Sequence, residues 1–279
     1  MLYNILKKAK SKGFAIGQFN FSSLEQLRGI ASCAKEQNFP VILGTSEKEA
    51  SFLGLEETVA LVRILENKMR FRLFLHLDHG KDLNFIKRAI DLGYDSVHFD
   101  GSSLLLKDNI RLTKKVVDYG KGKKVLVEGE LGYLGGESKY FKSAKAIIRS
   151  QDLTNPKEVG EFVKKTGVDS LAIAIGNIHG VYEKMPKFDF KRLKEIRENT
   201  DVFLVLHGGS GVPAGELKKA IRFGIQKINI NTELRMAWKQ ALWDALKDSG
   251  EIKPYLILPQ VERAIKKKVE KYIKLFRGC

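Results

Sequence analysis

Three histidine–glycine pairs are the most chemically informative feature of this sequence. His79-Gly80, His179-Gly180 and His207-Gly208 each stand where a run of mainly apolar residues ends, and the chain has five histidines in all. Neutral imidazole is a common zinc ligand, and three protein ligands with one open coordination position describe a catalytic zinc site. The repeated placement therefore favours metal binding over the alternative of three hydrogen-bonded histidines at strand ends.

Short apolar runs alternate with amphipathic stretches along almost the whole chain and predict the elements that position these residues. The predicted strands are Ala15–Asn20, Val41–Gly44, Arg72–Asp78, Ser96–Asp100, Val125–Leu131, Ser170–Ile175, Val202–Leu206 and Lys227–Asn231. The predicted helices between them are Ser23–Gln37, Glu56–Glu66, Asp82–Leu92, Leu104–Tyr119, Pro156–Thr166, Phe190–Asn199, Gly215–Phe223 and Glu233–Asp248. Eight such units favour an α/β TIM (β/α)8 barrel over an open doubly wound sheet. An additional C-terminal helix is predicted from Pro259 to Phe276, and we expect residues 1–279 to form a single domain.

Polar side chains with catalytic potential stand at or just beyond the C-terminal ends of these strands. They are Asn20, Asp78, His79, Asp100, Glu130, His179, His207, Asn229 and Asn231. In a TIM barrel those strand ends share one rim, where active sites lie. We therefore expect these side chains to converge on one site, with the carboxylate of Asp78 placed beside a metal ligand and available for proton transfer.

A phosphate-binding site is predicted beside the metal ligands. His207-Gly-Gly-Ser-Gly211 follows the seventh strand, and Asn229-Ile-Asn-Thr232 follows the eighth and leads into a helix. Loops after these two strands commonly bind phosphate in this fold, through backbone N–H groups and a helix N-terminus. The alternative for the glycine-rich segment is an ordinary turn.

The fifth strand carries two carboxylates that alternation places on the same face, Glu128 and Glu130. Glu130 lies closer to the rim, whereas Glu128 could instead form an ion pair with a lysine. Two connections, Gly132–Leu153 and Gly176–Asp189, are longer than the rest. Long glycine-bearing loops at this rim often take part in the active site, sometimes as lids.

Composition and charge exclude several classes of protein. The two cysteines, Cys33 and Cys279, form no disulfide framework or metal-binding spacing, and no apolar run has membrane-spanning length. We expect a cytoplasmic protein, because the N-terminus also lacks the features of a signal peptide. The net charge of +16 could indicate nucleic-acid binding, but the lysines are dispersed and lack a recognition motif. A basic surface that attracts anionic substrates is the favoured interpretation.

Successive motifs resemble those of one enzyme family in order and spacing. They are His76-Leu-Asp-His-Gly80, Phe99-Asp-Gly-Ser102, Val127-Glu-Gly-Glu-Leu-Gly132, Ala174-Ile-Gly-Asn-Ile-His-Gly180, Leu206-His-Gly-Gly-Ser-Gly211 and Lys227-Ile-Asn-Ile-Asn-Thr-Glu233. They resemble the class II, metal-dependent fructose-bisphosphate aldolases and the related tagatose-bisphosphate aldolases. The resemblance runs from Ala15 through the C-terminal helix.

The resemblance implies a role for each matching position. His79, His179 and His207 would bind catalytic Zn²⁺, with Asp100 and Glu130 at an alternative metal position or orienting ligands, and Asp78 would be the acid/base at the C4 hydroxyl. The phosphate of dihydroxyacetone phosphate would contact Gly180, Gly208, Gly209, Ser210, Asn231 and Thr232, with Asn229, Asn20 and Ser46 near the substrate. Gly180 and Gly208 also match a site for a monovalent cation, Na⁺ or K⁺.

The implied function is zinc-dependent cleavage of fructose 1,6-bisphosphate, in glycolysis and gluconeogenesis, to dihydroxyacetone phosphate and glyceraldehyde 3-phosphate. The alternatives are cleavage of tagatose 1,6-bisphosphate, or a catalytically silent barrel that binds phosphosugars. We expect a homo-oligomer, a dimer or tetramer, without a nucleic-acid or membrane partner.

Some positions depart from the family pattern. Gly135-Gly-Glu-Ser138 keeps one acidic residue where the family usually has consecutive ones, and Glu137 is our candidate for the enolisation acid/base. Lys253-Pro-Tyr255 stands where an arginine is common, which leaves Arg235 and Arg28 as candidates for the second phosphate. His76 and His98 lie within strands and are interpreted as structural.

Overall fold

The computed structural model describes residues 1–141, 148–247 and 249–278, with residues 136–138 described in backbone only. Its strands are β1 (Ile16–Asn20), β2 (Ile42–Ser46), β3 (Phe74–Gly80), β4 (Ser96–Phe99), β5 (Leu126–Leu131), β6 (Gly136–Phe141), β7 (Ser170–Ile173), β8 (His179–Tyr182), β9 (Phe203–Leu206) and β10 (Ile225–Ile230). Within these ranges, eight parallel strands close into a barrel in the order β1, β10, β9, β7, β5, β4, β3, β2. The predicted TIM barrel is confirmed, and each predicted strand matches a barrel strand.

Helices surround the barrel and alternate with its strands. They are α1 (Leu2–Lys12), α2 (Leu24–Glu36), α3 (Glu47–Leu53), α4 (Leu55–Met69), α5 (Leu83–Leu92), α6 (Leu106–Lys121), α7 (Pro156–Thr166), α8 (Phe190–Glu198), α9 (Ala214–Arg222), α10 (Thr232–Leu246), α11 (Pro254–Ile257) and α12 (Pro259–Arg277). Ser23 and Asp82 cap α2 and α5 by accepting backbone N–H groups, as small polar residues do at helix starts. Among the described residues, none of the helices has the length and apolar character needed to cross a membrane.

The predicted C-terminal helix is confirmed as α12, which packs against α2 and α10. It buries Val261, Ile265, Val269 and Ile273 at intervals of four residues, the spacing of one helix face. The approach to α2 is close, because a Cβ atom on Gly29 would lie 2.8 Å from the backbone oxygen of Glu262. Glycine at this position therefore lets the C-terminal helix reach the helix that follows β1.

The two long connections are more ordered than the sequence analysis predicted. The described part of the first contains β6 and part of the second forms β8, and these strands pair in parallel outside the barrel. Phe141 stacks on Tyr182 with ring centroids 4.5 Å apart. Helix α10 contacts both strands, so this small sheet packs against the helix that follows the last barrel strand.

The interior of the barrel is polar at its C-terminal end. Apolar side chains such as Leu75, Val97 and Leu204 are fully buried in the core around the strands. Five polar residues are also buried there, each two residues before a predicted rim residue on the same strand: Gln18, His76, His98, Glu128 and Lys227. Since side chains alternate along a strand, this set forms a layer directly beneath the rim.

Candidate active site

The predicted rim residues surround one cavity of about 530 Å³ at the C-terminal ends of the strands. The predicted residues that line it are Asn20, Ser46, Asp78, His79, Asp100, Glu130, His179, Gly180, His207, Gly208, Ser210, Asn229, Asn231 and Thr232. Sequence reasoning did not assign roles to Lys48, Lys81, Ser102, Tyr133 and Leu134, which also line it. Gly209 is not among these lining residues, and its N–H donates to the Asn229 carbonyl.

The backbone at His79 is held in an unusual conformation. His79 has φ of +51°, in the left-handed region, where β3 shifts its register against β4. The His79 N–H donates to Nδ1 of His98 at 3.1 Å, which fixes the bend. A non-glycine residue in this region costs free energy and is enriched at functional sites. His98, interpreted from sequence as structural, thus lies beside the site and holds the residue that follows Asp78.

Hydrogen bonds to two carboxylates determine which nitrogen of each central imidazole carries the proton. Asp100 Oδ2 lies 3.1 Å from Nδ1 of His79, and Glu128 Oε1 lies 2.7 Å from Nε2 of His207. An ionised carboxylate only accepts hydrogen bonds, so His79 donates from Nδ1 and His207 donates from Nε2. Each ring therefore directs its other nitrogen into the cavity.

These two inward-facing nitrogens fit a shared metal ion. His79 Nε2 and His207 Nδ1 lie 3.0 Å apart. Two acceptor lone pairs at this distance repel each other unless a proton or a cation lies between them. Zinc–nitrogen bonds of 2.0–2.1 Å in tetrahedral geometry place neighbouring ligand nitrogens about 3.3 Å apart, close to the observed separation. Carboxylates behind metal-binding imidazoles are also typical of such sites.

Two groups of potential metal ligands occur in the described part of the chain. The first contains Asp78, His79, His98 and His207, and the second contains His79, Asp100 and Glu130. His179 is in neither group, although its ring packs edge-on against His79 with centroids 4.9 Å apart. The predicted residues are therefore brought together, with the side chain of His179 on the outer edge of the cluster.

Glu130 and His98 contain two buried polar atoms without a well-formed hydrogen bond. His98 Nε2 and Glu130 Oε2 lie 3.0 Å apart, close enough for an ion pair, yet their orientation does not meet hydrogen-bond geometry. Both side chains are essentially inaccessible to solvent. Buried polar atoms normally find a partner, so this corner of the cluster has unused capacity to ligate a cation.

The charges of the cluster favour one positive centre. Burial alone lowers the pKa of His79, but the carboxylates of Asp78, Glu130 and Asp100 raise it to about 10. Burial, together with His79 and His207, instead lowers the pKa of His179 to about 3. The site thus accommodates a positive charge at His79 while His179 stays neutral and able to ligate.

Two asparagines hold the side chain of Asp78 in place. Its two oxygens accept from Asn20 Nδ2 at 2.9 Å and Asn229 Nδ2 at 3.1 Å. Burial alone would raise the pKa of Asp78, but electrostatic interactions with the His79, His207 and His76 rings and with Lys227 hold it well below its usual range. The arrangement aims an ionised carboxylate, a potential proton acceptor, at the cavity beside the imidazole cluster.

The other side of the cavity is built from backbone and small side chains. Gly208 has φ of +65°, and a Cβ atom there would lie 2.3 Å from the Ile178 carbonyl oxygen. Helix α10 begins at Thr232 without a side-chain cap from Asn231, and its Glu233 N–H donates to the Ser210 hydroxyl at 3.3 Å. Asn231, Thr232 and Ser210 line this side of the cavity, and a helix N-terminus attracts anions.

The segment after β2 differs in structure from the prediction. Ser46 lines the cavity, but it also caps the unpredicted helix α3 in a reciprocal capping box with Glu49. Glu49 in turn accepts from Arg235 at 2.6 Å. Arg235 lines the cavity, whereas Arg28 is exposed on α2 and is not among the lining residues. Of the two arginine candidates for the second phosphate, only Arg235 is therefore suitably placed.

The glycine-rich loop after β5 reaches the metal-ligand cluster through its backbone. The His179 N–H donates to the Gly135 carbonyl at 3.1 Å, at the start of the β6–β8 pairing. The side chain of Glu137, the predicted enolisation acid/base, lies outside the described atoms, as do residues 142–147 of the predicted loop Gly132–Leu153.

Comparisons with known proteins agree with this architecture. The family model for class II fructose-bisphosphate aldolase matches residues 1–278. A fructose-bisphosphate aldolase of Staphylococcus aureus is 41% identical over 276 residues, covering 98% of this chain and 95% of that protein. The solved YdjI aldolase of Escherichia coli K12 is 32% identical with a TM-score of 0.84, covering 99% of this chain and 96% of that one.

A second solved structure supports the fold alone. Fructose-bisphosphate aldolase of Campylobacter jejuni superposes with a TM-score of 0.82 at 24% identity, covering 99% of this chain and 94% of that one. The resemblance seen in the sequence motifs is confirmed by the match over almost the full length. The chain belongs to the class II fructose-bisphosphate aldolase family and is an aldolase.

Proposed function

We propose that this aldolase reversibly cleaves fructose 1,6-bisphosphate into dihydroxyacetone phosphate and glyceraldehyde 3-phosphate. The observation that carries the proposal is the pair of inward-facing nitrogens of His79 and His207, with the Asp78 carboxylate beside them in the same cavity. Family membership and relatives named fructose-bisphosphate aldolase support this substrate over tagatose 1,6-bisphosphate. They also disfavour a catalytically silent barrel.

His79, His179 and His207 would hold the zinc ion, and Asp100 and Glu130 provide an alternative position around His79. A zinc ion bound there supplies Lewis-acid stabilisation of the negative charge that develops on the C2 oxygen. Neutral imidazole ligands would leave the positive charge of the ion uncancelled, because an imidazole nitrogen ligates as a neutral lone pair. The predicted monovalent cation near Gly180 and Gly208 and the predicted homo-oligomer stay predictions.

Asp78 carries the proton transfer of the cleavage step. Its carboxylate accepts the proton of the C4 hydroxyl as C4 becomes the aldehyde carbon and the electron pair of the C3–C4 bond stays on C3. Asn20 and Asn229 orient the carboxylate for this transfer. In the reverse direction Asp78 returns the proton to the new C4 alkoxide. A positioned acid/base of this kind contributes about 10²–10⁴-fold in rate.

A second acid/base must deliver a proton to C3 to complete dihydroxyacetone phosphate. Glu137 is our candidate on the strength of the motif in which it lies. Gly180, Gly208, Ser210, Asn231 and Thr232 line the side of the cavity suited to the phosphate, and Gly209 supports that loop through its bond to Asn229. Asn20, Asn229 and Ser46 would contact the carbons and hydroxyls between the metal and this phosphate.

Metal removal tests the proposal most directly. We expect a chelator to abolish cleavage of fructose 1,6-bisphosphate, and added Zn²⁺ or Co²⁺ to restore it with about one ion per chain. Tagatose 1,6-bisphosphate, assayed in parallel, distinguishes the substrates, since they differ in configuration at C4. Full activity of the metal-free protein would contradict the metal assignment. Binding of dihydroxyacetone phosphate without cleavage of either sugar would instead favour the silent barrel.

A further inference from the structure

We propose that Lys227, buried in the wall of the barrel, is a positioning residue that sets the orientation and tautomer of His207 through Glu128. The inference rests on the proposed metal-binding role of His207. Lys227 is 2% exposed and belongs to the polar layer beneath the rim. It is not among the described residues that line the cavity, so it has no direct route to a substrate.

The contacts of Glu128 show how Lys227 can orient His207 without touching it. Its Oε2 accepts from the Lys227 ammonium at 2.6 Å, and its Oε1 accepts from His207 Nε2 at 2.7 Å. Both oxygens of one planar carboxylate are thus engaged by opposite neighbours. Since Lys227 holds one oxygen, the plane of the carboxylate is fixed and the other oxygen meets His207 at Nε2.

The position of Lys227 is fixed from its other side as well. Its ammonium lies 3.3 Å from His76 Nε2, and His76 Nδ1 lies 2.7 Å from the Ser96 hydroxyl. Lysine donates only, so His76 accepts at Nε2 and donates from Nδ1 to Ser96. His76 and Ser96 are also register partners on β3 and β4. The chain of contacts therefore anchors Lys227 to two strands on the far side of the barrel.

The buried charge of Glu128 explains why position 227 is a lysine. Glu128 and Lys227 are 2% exposed, and a buried carboxylate without a counter-charge is strongly destabilising. Lys227 supplies that counter-charge, so His207 does not have to. With Glu128 engaged at Nε2, the ring of His207 directs Nδ1 toward His79 and the metal site. The same reasoning separates Lys227 from a Schiff-base lysine, because its ammonium is committed to Glu128 and His76.

The test replaces Lys227 with methionine, which keeps the chain length and removes the charge and the donors. The matched control is Lys191→Met, the same change at an exposed position on α8. We expect Lys227→Met to weaken Zn²⁺ affinity by about 10–100-fold in chelator competition, the usual effect of losing support behind a ligand. The visible absorption of the Co²⁺-substituted protein should change too, since the geometry of His207 changes. The control should leave both measurements unchanged.

A readout without metal separates this inference from the proposed function. In the metal-free protein, ¹⁵N shifts of the histidine rings report the tautomer, and we expect His207 to carry its proton on Nε2 in wild type and to lose that preference in Lys227→Met. If Lys227→Met fails to fold, Glu128→Gln tests the same link, because its amide can present a donor to His207. Unchanged Zn²⁺ affinity, Co²⁺ absorption and His207 tautomer in the folded variant would overturn the proposal. A changed tautomer in a protein that cleaves no bisphosphate would uphold it while the proposed function fails.

Discussion

The two sides of the cavity are built in different ways. On the metal side, side chains from separate strands hold one another, as in the contacts of His207 with Glu128 and of His79 with Asp100. On the phosphate side, the shape comes from the backbone, as at Gly208, where a Cβ atom would collide with the Ile178 carbonyl. The geometry of the metal side therefore depends on which side chains are present, and the geometry of the phosphate side depends on the path of the backbone. Substitutions on the first should affect catalytic rate, and substitutions on the second should affect substrate binding.

Of the substitutions considered, Asp78→Ala on the metal side should have the largest effect, and the effect should be on kcat. This change removes the proposed proton acceptor and the hydrogen bonds that it accepts from Asn20 and Asn229. We expect kcat to fall by about 10²–10⁴-fold, the contribution of a positioned acid/base, while bound zinc stays at the wild-type level. Steady-state kinetics together with metal analysis measure both quantities.

The control for Asp78→Ala is Asp201→Ala, which removes a fully exposed carboxylate whose ion pair with Lys10 contributes little. It should leave kcat and zinc content unchanged. Loss of zinc together with activity in Asp78→Ala would make Asp78 a metal ligand, consistent with its place in the first ligand group. The metal side would then have no separate acid/base at this position.

Sequence reasoning was most successful where a local pattern carried the information. His179 and His207 each stand between an apolar run and a glycine, and this placement predicted that both lie at the rim, although His179 comes six residues after the end of β7 and begins β8. The layer of buried polar residues beneath the rim was not predicted to act as a unit. The alternation of side chains along each strand does indicate that these residues face the barrel interior. Lys227 lies two residues before Asn229 on β10, so it must face the same interior. Its partners, however, are 99 and 151 residues away in sequence, and no local pattern identifies them.

The remaining errors have a different origin. Segments β6 and β8 were predicted as parts of two long, glycine-bearing loops, and they form strands by pairing with each other. Ser46 was predicted only as a substrate contact because its capping role depends on a helix, α3, that the sequence analysis did not predict. Tertiary contacts decided the structure in both segments, whereas the barrel strands show their periodicity in the sequence itself.

A smaller effect, confined to binding, is expected for Ser210→Ala on the phosphate side. Ser210 is 2% exposed, lines the cavity, and accepts from the Glu233 N–H through Oγ at 3.3 Å, which leaves its hydroxyl proton free to donate. Losing a hydrogen bond to a charged group costs about 1.5–3 kcal/mol, so we expect KM for fructose 1,6-bisphosphate to rise about 10–100-fold. The value of kcat and the zinc content should stay close to wild type.

Ser11→Ala on the exposed face of α1 is the matched control for Ser210→Ala. It removes the same hydroxyl at a position remote from the rim and should change neither constant. A fall in kcat without a change in KM for Ser210→Ala would show that the two sides of the cavity do not divide their work in this way.

The smallest effect should come from Glu233→Gln, which loosens the phosphate side without touching the substrate. The Glu233 carboxylate accepts from the Gly211 N–H at 3.0 Å and contacts Lys268 and Tyr272 of α12, so it connects the loop after β9 to the C-terminal helix. Glutamine keeps the size and one acceptor but loses the charge. Because charge-assisted hydrogen bonds are about twice as strong as neutral ones, we expect a loss of about 1 kcal/mol. That loss should raise KM about fivefold at most and slightly lower the melting temperature, with kcat and Zn²⁺ affinity unchanged. An effect on KM larger than that of Ser210→Ala would mean that the position of the loop matters more than any one contact to the phosphate. An effect on Zn²⁺ affinity would mean that the backbone path on this side also positions His207.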